Sequence, residues 1–263
     1  MAARQRVDRS DDRRNAPRFA GVDLLRGLAL VMMIAYHFCY DLAYFGFASW
    51  RPDDMLSERG WIAWRGLIVT SFLLLVGVSR ALSAVLKPAA ADFRRRWAQI
   101  AGGAALVSVA SYAFAGQRWI YFGILHFIAV ALLVCRLVLR RVHSAAWIAL
   151  GGGVALVAGL VFSTPLMDPP PLDVLGFAAH KPATEDYVPL FPWIGVVLLG
   201  LAGGVYWRSR AFAPVAALGR LRAAIPPPAE RMLAGMGRWS LTIYLVHQPL
   251  LMGLCALLAA VRG

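Results

Sequence analysis

Seven apolar stretches alternate with short polar connections along the chain, at about 20–44, 61–85, 97–116, 119–139, 145–165, 188–207 and 239–261. Roughly 20 apolar residues in helical conformation cross the hydrocarbon of a bilayer. The pattern predicts an all-α, polytopic transmembrane bundle of about seven spans. Residues 1–18 hold six Arg and three Asp ahead of the first apolar run. They read as a disordered basic tail, with 19–263 forming one transmembrane domain. The first apolar stretch is span-length and shows no clear cleavage site, so it is expected to stay as span one. Span three is rich in Gly, Ala and Ser, which suits close helix packing. Span five has no ionisable residue and reads as scaffold. No internal repeat of the span pattern is visible.

One stretch breaks the apolar pattern in a regular way. Span one carries Asp23, Arg26, His37 and Asp41. Ionisable groups are expensive inside a membrane, and there they point to function by default. Asp23 and Arg26 stand at i,i+3, and His37 and Asp41 at i,i+4, so each pair can touch on a helix. Asp23, Arg26, Leu30, Met33, His37, Asp41 and Tyr44 form one stripe. Arg26 and His37 are about three turns apart, roughly 16 Å along the axis.

Composition agrees with the membrane reading: 60% of the 263 residues are hydrophobic and the mean hydropathy is +0.62. The net charge of +13 is explained by basic connections on one side of a membrane, so no nucleic-acid partner is expected. With the N-terminus inside, segments 1–20, 80–96, 136–143 and 208–238 hold 20 Lys and Arg, against 5 outside. That bias predicts N-terminus in and C-terminus out. Cys39, Cys135 and Cys255 all fall in apolar segments and at no short spacing, which supports neither a disulfide framework nor a metal centre. Two histidines in one bundle lack a third ligand at a recognisable spacing, so no metal is expected.

Orientation converts position into depth. Arg26 lies toward the inside and His37 toward the outside. His126, near the start of span four, is expected at a depth matching His37, with both facing one cavity. His247 enters span seven from the inside, on a stripe with Ser240 and Tyr244. The result is a polar path, basic at the inner mouth and histidine-bearing beyond it. Arg26 and the run Arg94, Arg95 and Arg96 suit the phosphates of a donor, because an Arg fork matches phosphate oxygens. His247 would line the donor path. His37 could take a proton or an acyl group. Asp41 could orient it, and His126 could hold the acceptor or a developing oxyanion. An acyl-coenzyme A, with a phosphate-rich end and a slim arm, fits that path.

Several segments also carry a resemblance. Span one, DLLRGLALVMMIAYHFCYDL from Asp23 to Leu42, is similar to the opening helix of transmembrane acyltransferases. SFLLLVGVS at 71–79, YFGILHFIAVALL at 121–133, YVPLFPWIGVVLLG at 187–200 and GRWSLTIYLVHQPLL at 237–251 agree in order. The chain most resembles the bacterial proteins grouped with the catalytic domain of heparan-alpha-glucosaminide N-acetyltransferase. The Arg26 to His37 spacing also resembles that of the acyltransferase type three membrane proteins. This resemblance implies acyl transfer at Arg26 and His37, from cytoplasmic acetyl-CoA or another acyl-CoA to a saccharide or envelope glycan outside. It further implies a multi-pass protein of a bacterial inner membrane. The lysosomal sugar N-acetyltransferases have more spans and place their working histidine in the loop after the first span. The corresponding loop here, 46–60, has no histidine.

The same residues admit other readings. Arg26 could simply pair with Asp23 and anchor the helix end. His37, Asp41 and His126 could be interhelical packing contacts. Arg94, Arg95 and Arg96 also read as topology determinants. Asp53, Asp54, Glu185 and Asp186 read as solvated loop charges, near where an amino sugar would arrive. A proton-coupled transporter and a non-enzymatic assembly subunit are the rival functions. Assembly into homo-oligomers is left open.

Overall fold

The computed structural model describes residues 20–84, 90–210 and 222–262. The tail expected at 1–18 lies outside the described residues. The helices are α1 (Ala20–Tyr44), α2 (Pro52–Ser57), α3 (Arg59–Ser83), α4 (Ala90–Ala115), α5 (Ile124–Arg141), α6 (Ala145–Val161), α7 (Leu190–Ser209), α8 (Pro227–Arg238) and α9 (Ser240–Arg262). No β-strand occurs among the described residues; one isolated bridge joins Thr164 and Ala178.

Five of these helical stretches are long and apolar enough to cross a membrane: Ala20–Tyr44, Arg59–Ser83, Ala90–Arg118, Leu190–Ser209 and Ser240–Arg262. The fourth and fifth expected spans are shorter helices. Residues 119–123 are irregular, and α5 has 18 residues ending in Arg140 and Arg141. The α6 helix has 17 residues and stops at Val161, ahead of the turn at Pro165–Met167. Large apolar side chains lie bare on the outside, among them Val109, Phe114, Leu160, Val161, Leu257 and Val261. Such a belt suits lipid contact and is costly in water.

Two packing devices position the rest. The first joins α3 to α7. A Cβ at Gly77 would fall 2.1 Å from the Val197 carbonyl oxygen, and one at Gly200 would fall 2.2 Å from that of Leu74. Glycine lets these backbones touch, as in close-packed membrane helices. Around them lies the largest core, with Leu73, Ala81, Phe127, Ala131, Cys135, Ile148, Val197 and Leu201.

The second device joins α1 to α8. A Cβ at Gly27 would lie 1.9 Å from the Leu233 oxygen, and one at Gly237 would lie 1.9 Å from the Asp23 oxygen. The α8 helix was expected only as part of a basic connection. It opens on Pro227 as its first residue, carries Glu230 in its first turn and ends on Arg238. All three are favourable for a helix. Because Gly237 sits against Asp23, α9 leaves that point alongside α1. The two helices run the same way, and this sets the register of the site.

Candidate active site

The polar stripe of span one faces inward over most of its length. Leu30, Met33 and Asp41 are buried, Asp23, Arg26 and His37 are half-buried, and Tyr44 at the end is exposed. Polar groups on a lipid-facing helix turn toward neighbours that can satisfy them.

Beside Asp23, Arg26 makes three bonds. Nη1 donates to Asp23 Oδ1 at 2.9 Å and to the Gly237 carbonyl at 3.3 Å, and Nη2 donates to Ser79 Oγ at 2.7 Å. The Ser79 hydroxyl in turn donates a hydrogen bond to the Leu75 carbonyl. One guanidinium thus ties α1 to α3 and α8. The expected Asp23–Arg26 pair is present. Other cations gather at the same end. Arg80 and Arg136 both stack on Phe93, at 5.1 and 4.3 Å from the ring centre. Arg208 donates to the Ala81 carbonyl. Arg94, Arg95 and Arg96 lie exposed in the first turns of α4, with Arg96 within electrostatic range of Arg26.

Three turns along α1 from Arg26, His37 points Nδ1 at the Met33 carbonyl, 2.9 Å away. A carbonyl only accepts, so the neutral ring carries its proton on Nδ1 and leaves the Nε2 lone pair available. Its ring partner is His247 on α9, with centroids 5.0 Å apart and planes at 71°. His247 is arranged the same way. Its Nδ1 donates to the Tyr244 carbonyl at 2.7 Å, and its Nε2 is buried without a partner. Two neighbouring imidazoles, each fixed by its own helix backbone, therefore each keep one nitrogen outside any hydrogen bond. The meeting follows from the register set at Gly237: His247 lies ten residues beyond it, and His37 lies fourteen beyond Asp23.

The expected partner of Asp41 is replaced. The carboxylate is fully buried, and Gln248 Nε2 donates to its Oδ1 at 2.8 Å. With Nδ1 of His37 committed to Met33, the tautomer of that ring is set by the backbone carbonyl. Asp41 fixes Gln248, the neighbour of His247, and so locks α1 to α9 one turn beyond the histidine pair. Asp41 Oδ2 and Gln248 Oε1 remain buried without partners.

His126 has a different occupation. The Gly123 N–H donates to Nδ1 at 3.3 Å, which leaves the ring proton on Nε2 to meet Ser108 Oγ at 3.1 Å. Ser108 in turn donates to the Ile120 carbonyl. Both nitrogens serve the start of α5 and its link to α4. The ring packed against His37 is that of His247.

Beyond the histidines, Tyr36 packs edge-on against His37, Trp61 and Trp64. Trp61 stacks on Trp64 at 5.7 Å, and Trp50 lies 5.8 Å from Trp61. The loop before α7 closes over this end. Tyr121 OH donates to the buried Asp173 carboxylate, and Tyr187 OH donates to the Asp173 carbonyl. Asp186 accepts the Ile124 N–H at 2.9 Å, capping α5, and Glu185 pairs with Arg118 at 2.8 Å. Asp173 and Asp186 are structural groups of the loop rather than free solvated charges, whereas Glu185 is exposed, as expected of a solvated loop charge. Burial pushes the Asp186 carboxyl above its ordinary value, against the opposing pull of the Ile124 N–H and Lys181. A groove along α6, lined by Leu150, Val154, Val157 and Phe162, is apolar and contains none of these residues. No group of three metal-binding side chains occurs among the described residues.

Against known families, residues 18–249 match the model described as heparan-alpha-glucosaminide N-acetyltransferase, catalytic. The chain belongs to this family. The match takes in α1 with Arg26 and His37, and reaches through His247 and Gln248 on α9. Family membership and the five candidate spans make it a multi-pass member of a membrane acetyltransferase family. Neither the curated proteins nor the solved structures compared with the chain include a match. Within the family frame, sequence reasoning missed Ser79, Gly237 and Tyr36. Gly237 and Ser79 sit in segments that carry the resemblance, but their partners on α1 are visible only once the helices are packed.

Proposed function

We propose that this chain is a membrane acyltransferase. It takes an acetyl or other short acyl group from cytoplasmic acyl-CoA and passes it to a hydroxyl or amine of a saccharide or envelope glycan at the outer face. The setting would be a bacterial inner membrane. In this reading α5 and α6 complete a seven-span bundle, with the N-terminus in and the C-terminus out. The gathering of Arg26, Arg80, Arg94, Arg95, Arg96, Arg136 and Arg208 at one end supports that orientation, since basic ends stay on the cytoplasmic side.

The observation that carries the proposal is the free Nε2 of His37, held inside the membrane on the family's first span. Its Nδ1–H is anchored, so the ring is preset to use Nε2 as a nucleophile toward a thioester carbonyl. Arg26 would meet the phosphates or pantetheine arm of the donor, assisted by Arg96. The fixed tilt of its guanidinium, held by Asp23, Ser79 and Gly237, is the preorganisation such binding needs. The aromatic group Tyr36, Trp61 and Trp64 on the far side of His37 would receive the acceptor.

The test uses purified protein in sealed vesicles, with acetyl-CoA on the arginine-rich face and a panel of sugar acceptors on the other. Coenzyme A release that needs both, together with acetylated sugar, is the expected result. Release no faster than from protein-free vesicles across the panel would remove the enzyme reading and favour the transporter or assembly roles.

A further inference from the structure

We propose that His247 is a second catalytic base, which takes the proton of the incoming acceptor while His37 carries the acyl group. This rests on the transferase reading above and assigns a separate job to each ring.

The number of lone pairs on each ring limits what it can do. A neutral imidazole has one N–H and one basic nitrogen. The N–H of His37 is committed to the Met33 carbonyl at 2.9 Å. Once Nε2 has bonded to an acyl carbon, the ring has no lone pair left for a proton. The acceptor's hydroxyl or amine must nevertheless lose a proton as it attacks. A second base beside the acylated ring would take that proton during the attack.

His247 meets each condition. Its ring centre is 5.0 Å from that of His37. Its Nδ1–H is anchored to the Tyr244 carbonyl, so the basic nitrogen is Nε2. That nitrogen is buried and has no hydrogen-bond partner. A buried acceptor left without a donor costs free energy, and such a group calls for a reason. His126 provides the internal contrast, since both of its nitrogens are bonded. Gln248, tied to Asp41, holds the α9 turn that carries His247 in register.

The steps balance. His37 Nε2 attacks the thioester carbon, the C–S bond breaks, and coenzyme A leaves as the thiolate. The acceptor oxygen or nitrogen then attacks the acyl carbon, and the bond from that carbon to Nε2 breaks. The acceptor's proton passes to His247 Nε2 and from there to the thiolate or to water. Both rings return neutral.

The variant that isolates this role is His247→Asn. The Asn amide reaches the position of Nδ1 and keeps a donor for the Tyr244 carbonyl, but nothing replaces Nε2. His247→Gln, which restores a polar atom near Nε2 without a usable base, is the second variant. His37→Asn is the control. Labelled acetyl-CoA is mixed with each protein in detergent, with and without acceptor, and both coenzyme A release and protein-bound label are followed.

The expected result for His247→Asn and His247→Gln is one rapid equivalent of coenzyme A and label retained on the protein. Steady turnover should fall about 10²- to 10⁴-fold, the usual range for loss of a general base. His37→Asn should show neither burst nor label. Wild-type turnover in both His247 variants would overturn the assignment. So would a folded His247 variant that binds acyl-CoA yet gives no burst, because His247 would then serve the first step. If the wild-type protein itself releases no coenzyme A, the transferase reading fails and this one with it.

Discussion

The Asp41–Gln248 bond permits a quantitative test of how the two histidine helices are held together. Replacing Gln248 with Met leaves Asp41 buried with neither oxygen bonded, since Oδ2 already lacks a partner. Replacing Asp41 with Leu strands the Gln248 amide in the same way. Each single change should cost about 1–3 kcal/mol, the penalty for a buried polar group without a partner. The double variant removes both groups, so its cost should fall short of the sum. Hydrogen bonds within membrane bundles average about 0.6 kcal/mol in such cycles and reach about 1.7. This one involves a fully buried carboxyl, so a coupling of about 1–1.7 kcal/mol is expected. The assay is reversible unfolding in mixed micelles for all four proteins. Each single variant should also lose turnover, because Gln248 follows His247 on α9. Additivity within about 0.3–0.5 kcal/mol, the range for independent sites, would refute the claim that this bond locks α1 to α9.

Other expectations follow from the same geometry. Gly27→Ala and Gly237→Ala each place a Cβ 1.9 Å from a backbone oxygen, so α8 must move off α1. Both should destabilise the protein by about 1–3 kcal/mol, read as a lower melting temperature, and should raise KM for acyl-CoA through Arg26. His126→Ala removes bonds to Gly123 and Ser108. It should lower thermal stability by about 1 kcal/mol while the folded protein keeps its kcat; a selective loss of kcat would return His126 to the chemistry. Asp168 accepts the Ala179 and His180 N–H groups on Oδ1, and the His180 ring on Oδ2. The His180 bonds, chiefly, hold its carboxyl below the ordinary value. A lowered carboxylate contributes stability above the unfolded value of about 3.9, and that contribution is lost as pH falls through the folded value. The protection of the Ala179 and His180 amides against exchange, taken relative to the intrinsic rate at each pH, should therefore be high at neutral pH and fall as the Asp168 carboxyl takes up its proton; protection that stays constant through that titration would contradict this.

Much of the fold is legible from apolar patterning because membrane spans announce themselves by length. The first, second, third, sixth and seventh expected spans correspond to helices long and apolar enough to cross. The stripe from Asp23 to Asp41 is legible for a similar reason: helical spacing alone puts these residues on one face. Residues 124–141 and 145–161 were harder, since hydropathy does not reveal where Trp119–Gly123 and Thr164–Met167 leave the helix. The site was half legible. His37 and Arg26 stood out as costly groups in an apolar run. The partner of His37 did not, because its identity depends on Gly237 packing against Asp23, a contact between residues more than two hundred positions apart. Depth counted along each helix separately placed His126 opposite His37 and His247 nearer the inside. The close α1–α8 contact resets that count and brings His247 to His37. The expected Asp41–His37 bond failed for a local reason, since the Met33 carbonyl lies one turn back on the same helix and takes the Nδ1–H.

The central claim is that the free Nε2 of His37 performs the transfer. Its most direct measurement is coenzyme A release from acetyl-CoA by purified wild-type protein and by His37→Asn, across the same panel of sugar acceptors. The Asn amide can still donate to the Met33 carbonyl, so the helix is preserved while the reactive nitrogen is lost. Turnover should fall about 10²- to 10⁴-fold at unchanged melting temperature. Equal rates for the two proteins would contradict it.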